Sequence, residues 1–420
     1  MKYDLSNLCY VEEVKKGYIT VEQATARINN NDGLSFIDNG NNSKLLGQSK
    51  NGSALVKVAS NTGISHKNQL DDELRKLDKL ISLPYAPDMI FDHTCRGVLA
   101  EMKLDEHLYA RITKEYGHKV VVATAPVMVA FREGKGIDIS ELIEIIEHMA
   151  MCGVRFMLFH PTTTRETWKI AEQSRIKPST SWTGNLLYDD ILFNNRETNI
   201  IAENFDLIMG ILKKYNVTCD IGTTFRPARI KEALDSAHTK ELLEQEVWIK
   251  KVKDAGVFCV REGIGHIPLH KVDAFSTIIN HSTPMMPLPV STDFAVGFDH
   301  VSCAVAMTAV GMLCNIGLLN PVTDIEHTGG IPTYEDTLLA LKTARIVAHS
   351  LDLKNCPKVQ LYDDKLADAR QNNRTCVVKG GLFNEGNESE ISSQIGCSRC
   401  GNCPFVSLVI NNHQTFLVCS

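Results

Sequence analysis

Residues 119–160 read KVVVATAPVMVAFREGKGIDISELIEIIEHMAMCGVRFMLFH and hold one complete strand–helix–strand pattern. The runs KVVVAT (119–124) and VRFMLFH (154–160) are short, apolar and rich in β-branched and aromatic residues, which favours buried strands. Between them the apolar positions of SELIEIIEHM recur at helical spacing, namely Leu142, Ile145, Ile146 and Met149. This spacing predicts a helix that buries one face against the strands.

The same alternation continues in both directions. Eight apolar runs are expected to be strands: 54–60, 88–92, 119–124, 154–160, 217–222, 257–263, 287–292 and 311–317. The helical stretches between and after them include 69–81, 105–116, 139–151, 202–215, 240–255, 298–310 and 333–351. Eight strands, each followed by a helix, is the count of a (β/α)₈ TIM barrel. The sequence therefore predicts an α/β protein whose catalytic barrel spans residues 54–354.

Two flanking segments depart from this pattern. Residues 1–53 begin with a polar stretch rich in Asn, Gly and Ser, and we expect an N-terminal appendage with a helix around residues 21–28. Residues 355–420 pass through the polar NEGNESEISSQ to GCSRCGNCPF. We expect this C-terminal extension to be a flexible tether that carries a small metal module.

Composition narrows the classes of protein. The 420 residues are 44% hydrophobic and 22% charged, with a net charge of −6 and no long basic run. Nucleic acid and anionic membrane surfaces are therefore not expected as partners. The N-terminus has no apolar signal core and no run could span a bilayer, so a cytoplasmic location is expected. Most of the 13 cysteines stand singly in apolar runs, as expected for free buried thiols in a reducing compartment.

Polar residues collect where the predicted strands end. In a TIM barrel these positions lie in the loops that build the active site. The residues at the ends of these runs are Asn61, Asp92, Thr124, His160, Arg226, Glu262, His266, Asp293 and His327. A set this rich in His, Glu and Arg favours an enzyme.

Three cysteines crowd into seven residues near the C-terminus, at Cys397, Cys400 and Cys403. Thiolates at this spacing can hold three irons of a [4Fe–4S] cluster. The remaining iron would then be open to S-adenosylmethionine. A structural zinc site with a fourth ligand from Cys376, His413 or Cys419 would use the same spacing. Spacing alone leaves both interpretations open.

Two histidines follow the sixth and eighth predicted strands. His266 and His327 could converge in a closed barrel and bind a catalytic zinc or similar divalent metal. His270 and His300 could compete for that role, and each histidine could instead be an ordinary hydrogen-bonded side chain.

Several longer segments carry a family resemblance. REGIGHIPLH (261–270), STDFAVGFDHVSCAVA (291–306), IEHTGGIPTYED (325–336), TARIVAHSLDL (343–353) and VKVASNTGIS (56–65) occur in one order. This series, with the final cysteine run, resembles the phosphomethylpyrimidine synthase (ThiC) family. The resemblance covers most of the chain.

The resemblance implies a concrete enzyme: a radical S-adenosylmethionine lyase on a (β/α)₈ barrel, with its cluster on a C-terminal extension. It implies a homodimer, a reductant such as flavodoxin or ferredoxin, and rearrangement of aminoimidazole ribotide to hydroxymethylpyrimidine phosphate in thiamine biosynthesis. By residue matching, His266 and His327 would bind zinc, and Cys397, Cys400 and Cys403 the [4Fe–4S] cluster. Substrate would contact Asn61, His160, Arg226 and Glu262. Glu262 and His160 would also be catalytic.

Five positions depart from the family pattern: Thr223, Trp182, Met128, Met286 and Phe91 replace the family's Asp, Arg, Tyr, Tyr and Met. The last cysteine gap is also shorter than usual. Losing polar partners for a phosphorylated ribotide suggests a changed substrate or product. A paralogue that makes 5-hydroxybenzimidazole for the lower ligand of cobamides is therefore an alternative.

Two hypotheses from other classes remain. One is a zinc-dependent barrel hydrolase whose clustered cysteines bind structural zinc. The other is a non-catalytic binding protein, which the retained Glu262, His266, His327 and cysteine cluster argue against.

Overall fold

The computed structural model describes residues 33–49, 52–95, 102–356 and 359–372. The chain divides into two compact units, Met1–Asn355 and Cys356–Ser420. In the described part of the second unit, residues Gln360–Asn372 form a helix. The expected helix at 21–28 and the cysteine cluster lie outside the described residues. The expected domain bounds at 53/54 and 354/355 stay a prediction.

An eight-stranded parallel sheet is the centre of the first unit. Three antiparallel strands, here called the hairpin, come first: β1 (Leu34–Ile37), β2 (Lys44–Ser49) and β3 (Gly52–Ser53). The eight-stranded sheet comprises β4 (Lys57–Thr62), β5 (Met89–Asp92), β6 (Val121–Thr124), β7 (Phe156–Phe159), β8 (Thr218–Ile221), β9 (Cys259–His266), β10 (Met285–Val290) and β11 (Leu318–Leu319). Neighbours follow chain order from β4 to β10, and β11 pairs with β4. Met285 closes the ring, because its N–H donates to Asn315 O at 2.8 Å and its carbonyl accepts from Gly317 N at 3.0 Å. The expected (β/α)₈ barrel is confirmed.

One to four helices follow each barrel strand in the first unit, and one further helix lies in the described part of the second unit. They are α1 (Leu70–Ile81), α2 (Leu108–Tyr116), α3 (Pro126–Ala130), α4 (Ile139–Cys152), α5 (Arg165–Ser174), α6 (Trp182–Phe193), α7 (Ile200–Glu203), α8 (Phe205–Lys214), α9 (Ser236–Asp254), α10 (Val272–Ile278), α11 (Asp299–Leu313), α12 (Tyr334–Asn355) and α13 (Gln360–Asn372). None of these described helices is long and apolar enough to cross a membrane.

Helix α4 shows how local sequence sets these elements. Asp138 caps its N-terminus by accepting a hydrogen bond from Glu141 N at 3.0 Å, and Gly153 ends it in a left-handed conformation. The four apolar residues expected on its inner face are all fully buried: Leu142, Ile145, Ile146 and Met149. The amphipathic pattern is thus confirmed.

The eighth strand lies elsewhere than expected. Residues 311–317 were expected to form it, but Gly311–Leu313 end helix α11 and the strand is Leu318–Leu319. Gly311 lets this helix approach α12 closely, since a Cβ there would lie 2.4 Å from Leu351 Cδ1. An apolar helix end cannot be told from a buried strand by hydrophobicity alone, which explains the error.

The hairpin β1–β3 covers the N-terminal end of the barrel. Phe36 is buried and packs edge-on against Phe258 at 5.7 Å between ring centroids. Its carbonyl accepts a hydrogen bond from Thr218 Oγ1 at 2.7 Å, at the first residue of β8. Asn315, just before β11, donates to Gly33 O at 2.6 Å. This part of the expected polar appendage is therefore apolar on its inner side and closes one end of the barrel.

Candidate active site

A cavity of about 490 Å³ opens at the C-terminal ends of the barrel strands. All four residues expected to contact substrate line it: Asn61, His160, Arg226 and Glu262. Asn61 lies near the end of β4 and Glu262 in the middle of β9, whereas His160 and Arg226 lie in the loops after β7 and β8. These loops converge because parallel strands in a barrel all end at one face.

Glu262 lies at the centre of the hydrogen-bond network in this cavity. Its Oε2 accepts from Thr223 N at 2.9 Å, from Thr223 Oγ1 at 3.3 Å and from Arg226 Nη1 at 3.1 Å. Thr223 stands where the family carries Asp, so a hydroxyl donor replaces a second carboxylate beside Glu262. The ion pair with Arg226 is nearly buried on the carboxylate side, at 5% exposure. Such a charged hydrogen bond holds both side chains in a fixed orientation.

His160 is held neutral beneath the ion pair. Its Nδ1 lies 3.1 Å from Thr224 Oγ1, and its Nε2 lies 3.5 Å from Ser181 Oγ and 4.0 Å from Glu262 Oε2. Burial, helped by the charge of Arg226, lowers the pKa of His160 to about 3. A neutral imidazole can donate or accept a hydrogen bond through Nε2 without carrying charge into the cavity.

Gly222 makes room for this imidazole. A Cβ at position 222 would lie 2.4 Å from His160 Nε2, well inside van der Waals contact. The absence of a side chain at the end of β8 is therefore what allows the ring to sit over that strand.

Asn61 is positioned by neighbouring loops. Its Nδ2 donates to Pro321 O at 3.3 Å, and its Oδ1 lies 3.1 Å from His93 Nε2. His93 stacks on Phe91 with ring centroids 4.4 Å apart. Burial, followed by the charge of Arg226, lowers the pKa of His93 to about 4. His93 is thus a second neutral imidazole in the cavity wall.

Sequence reasoning missed several wall residues. His93, Lys76 and Glu326 line the cavity. His93 directly follows β5, whereas Lys76 lies on α1 and Glu326 in the loop after β11. Lys76 is paired with Glu73 at 2.8 Å, and burial raises the pKa of Glu326. Glu326 directly precedes His327, so the motif IEHTGG could have identified it.

The five positions that depart from the family pattern divide into two groups. Met128 and Trp182 line the cavity, whereas Thr223, Phe91 and Met286 do not. Asp92 and Thr124 are buried at the ends of their strands and also stay outside it. The loss of polar groups therefore reaches the cavity surface at two of the five departing positions.

The two histidines expected to bind a metal lie side by side. The ring centroids of His266 and His327 are 5.1 Å apart. His266 Nδ1 lies 2.6 Å from Asp293 Oδ1, and His327 Nδ1 lies 2.8 Å from Asp299 Oδ1. Burial lowers the pKa of His266, which favours the neutral ligand form. Carboxylates bound to Nδ1 typically orient metal-binding histidines so that Nε2 faces the ion.

Only part of a metal coordination sphere is present at this pair. Within the described ranges, no third His, Cys, Asp or Glu joins the two rings in a compact group of possible ligands. The donor set still fits a divalent ion that keeps open positions for water or substrate. Metal binding at His266 and His327 stays a prediction.

The fold is a TIM barrel, and the polar cavity at its mouth is where TIM-barrel enzymes have their active sites. Comparison with known proteins identifies the family. Residues 11–410 match the Radical SAM ThiC family. The chain belongs to this family.

Individual relatives bear two different names. The chain is 32% identical over 335 residues to the phosphomethylpyrimidine synthase of Thermodesulfovibrio yellowstonii, covering 76% of this chain and 75% of that protein. It is 29% identical over 326 residues to the 5-hydroxybenzimidazole synthase BzaA of Eubacterium limosum, covering 76% and 74%. Among solved structures, a Xanthomonas albilineans dihydropteroate synthase overlaps 75% of this chain and 98% of its own at 8% identity, with a TM-score of 0.41.

Proposed function

We propose that this protein is a radical S-adenosylmethionine lyase that rearranges aminoimidazole ribotide to hydroxymethylpyrimidine phosphate in thiamine biosynthesis. The observation that carries the proposal is the convergence of Asn61, His160, Arg226 and Glu262 on one cavity at the barrel mouth. Membership of the family and the phosphomethylpyrimidine synthase relatives support it.

The cavity groups match the polar groups of a ribotide. Glu262 and Thr223 O both contact Nη1 of Arg226, which leaves Nη2 and Nε to donate to an anionic group of the substrate. Glu262 can accept from a substrate hydroxyl or amine. His160 and His93 are neutral imidazoles that can form hydrogen bonds with a bound substrate.

Two cofactors expected from the family, an iron–sulfur cluster and a divalent metal, would supply the remaining chemistry. Cys397, Cys400 and Cys403 would hold a [4Fe–4S] cluster, which with S-adenosylmethionine supplies the radical that starts the reaction. His266 and His327 would hold zinc or another divalent metal. The barrel residues orient the substrate and keep water from it. We also propose that the protein forms a homodimer, receives electrons from a reductant such as flavodoxin or ferredoxin, and is located in the cytoplasm.

A second product is favoured by a specific observation. Met128 and Trp182 line the cavity where the family pattern has a tyrosine and an arginine. These replacements make part of the wall more apolar and remove one cation. They suit 5-hydroxybenzimidazole, the product in the name of the relative from Eubacterium limosum. Both products would start from the same ribotide.

Product identification tests the proposal. The protein is purified without oxygen, reconstituted with iron and sulfide, reduced, and supplied with S-adenosylmethionine and aminoimidazole ribotide. Mass spectrometry should detect 5′-deoxyadenosine together with hydroxymethylpyrimidine phosphate, and a reaction without S-adenosylmethionine should yield neither. Detection of a hydroxybenzimidazole instead of the pyrimidine would reject the first proposed product and support the second.

Other outcomes would contradict the assignment. A colourless protein that releases no 5′-deoxyadenosine would favour a zinc-dependent barrel hydrolase. Cleavage of S-adenosylmethionine with the ribotide left intact would retain the chemistry and reject the substrate.

A further inference from the structure

We propose that Asp105, His148 and Cys152 form a binding site for a divalent transition metal on the helical layer outside the barrel. None of the three lines the cavity at the barrel mouth, and none lies in the segments that carry the family resemblance. The site is therefore separate from both the His266–His327 pair and the clustered cysteines.

Two elements bring the three side chains together. His148 and Cys152 lie four residues apart on α4, so they share one face of the helix. Asp105 comes from the 3₁₀ turn Leu104–Glu106 that leads into α2. One ligand atom from each residue lies within 4.8 Å of the other two, the only such trio of His, Cys, Asp or Glu among the residues that the structure describes.

The separations suit a tetrahedral ion. Bond lengths of about 2.0 Å to nitrogen and about 2.3 Å to sulfur put two such ligands roughly 3.5 Å apart. Cys152 Sγ lies 3.7 Å from His148 Nε2 and 3.7 Å from Nδ1, so the thiol would turn toward Nε2 to share an ion with it. Asp105 Oδ1 lies 2.8 Å from the same nitrogen, somewhat closer than two ligands of one ion. The Asp105 side chain is 85% exposed and can move outward to admit the ion.

A buried tyrosine orients the imidazole. His148 Nδ1 lies 3.0 Å from Tyr109 Oη, and the two rings meet edge to face at 6.1 Å. Tyr109 is fully buried in α2, so it holds the ring from the core side. Without a metal, Nε2–H donates to Asp105 Oδ1 and Nδ1 accepts from the phenol hydroxyl. With an ion bound, the ring proton would lie on Nδ1 and be donated to the phenol oxygen, which leaves the Nε2 lone pair for the metal.

The donor set selects the class of metal. A thiolate, an imidazole and a carboxylate favour zinc and its analogue cobalt over magnesium or calcium. Burial and the nearby charge of Asp105 raise the pKa of Cys152. The thiol is therefore protonated in the absence of metal, and binding must release that proton. The fourth coordination position would be open to solvent.

Cobalt binding to the full-length, anaerobically reconstituted protein tests the proposal. Bound Co²⁺ is counted by elemental analysis, and the charge-transfer absorption of a cobalt–thiolate bond is followed. Cys152→Ser and His148→Gln should each bind one equivalent fewer than the wild type, and Cys152→Ser should lose the absorption of this site. Asp105→Asn should raise the dissociation constant at least about tenfold. Added Zn²⁺ should displace the cobalt.

Control variants separate this site from the others. Cys356→Ser changes a partly buried free thiol at another place and should bind as many equivalents as the wild type. His266→Ala should leave the Cys152-dependent absorption intact. If Cys152→Ser does not fold, Asp105→Asn at its exposed position still reports on the site. Unchanged stoichiometry and affinity in both Cys152→Ser and Asp105→Asn would overturn the proposal.

Discussion

At the scale of single residues, Glu262 organises the barrel mouth. One of its oxygens accepts from three donors on Thr223 and Arg226. Each donor comes from the loop after β8, while Glu262 itself belongs to β9. The carboxylate thus links β9 to the loop after β8 and sets the orientation of Arg226 in the cavity wall.

Replacing Glu262 should separate activity from folding. Glu262→Gln puts an amide opposite Arg226 and leaves its partly buried guanidinium without a counter-charge. We expect kcat/KM for ribotide-dependent 5′-deoxyadenosine formation to fall by about 10- to 100-fold. Glu203→Gln, which removes a partner of Arg196 at 3.0 Å outside the cavity, serves as the control. Equal kcat/KM in the two variants would remove Glu262 from the site.

Buried histidines should make stability depend on pH. Burial lowers the pKa of His238 to about 3 from an ordinary value of 6.5. Between these values the unfolded chain binds a proton and the folded chain does not, so stability falls as pH drops below about 6.5. From about pH 7.5 to about pH 5.5 one such histidine costs about 1.4 kcal/mol.

His238→Asn should remove this contribution. Its amide oxygen can still accept from Leu234 N, as His238 Nδ1 does at 3.2 Å. Urea titrations should show that the variant loses about 1.4 kcal/mol less than the wild type over the same pH range. His281→Asn changes an exposed histidine and should retain the wild-type loss. Identical losses in all three proteins would contradict the prediction.

At the scale of elements, helix α12 is fastened to the barrel end opposite the cavity. Arg345 Nη1 donates to Asp88 Oδ2 at 2.8 Å, and Asp88 also accepts from Val58 N at 3.0 Å. Lys44 of β2 lies 3.5 Å from the same carboxylate. Asp88 thereby joins the hairpin, β4 and α12. Residues at this face of a TIM barrel usually serve stability rather than catalysis.

Asp88→Asn should destabilise the protein without altering the site. The change leaves Arg345 without a counter-charge at a position only 17% exposed. We expect the free energy of unfolding to fall by about 1–3 kcal/mol, measured by urea denaturation, with unchanged activity per folded molecule. Asp72→Asn breaks an exposed pair with Arg75 on α1 and should cost less than about 1 kcal/mol. A similar small cost for both would show that the buried pair contributes little.

At the scale of the whole molecule, the barrel and the proposed cluster site are separate along the chain. The cavity is built from residues between 60 and 340, and the clustered cysteines follow at 397–403. Cluster binding and barrel folding should therefore be separable by mutation.

Cys400→Ala tests this separation. The variant should lose most of its iron and sulfide and all 5′-deoxyadenosine formation, because a cluster with a missing thiolate is not retained. Its thermal unfolding should match that of the wild type. Cys356→Ala should keep both iron and activity. Full turnover by Cys400→Ala would reject the radical mechanism.

The sequence alone determined the features that depend on local periodicity. Apolar runs predict seven of the eight barrel strands and the burial of Cys219, Cys259 and Cys314, and helical spacing predicts the inner face of α4. Because all strand ends of a parallel barrel meet at one face, the convergence of Asn61, His160, Arg226 and Glu262 could also be expected from their positions.

Only the tertiary structure decided what depends on contacts between distant segments. The start of β11 depends on pairing with β4 and on the close approach of α11 to α12. Lys76 reaches the cavity from α1 and Glu326 from the loop after β11, through packing that periodicity does not encode. The Asp105–His148–Cys152 group likewise joins the 3₁₀ turn before α2 to α4, and no local pattern specifies their packing. Local pattern sets which residues are buried, whereas long-range packing sets which of them meet.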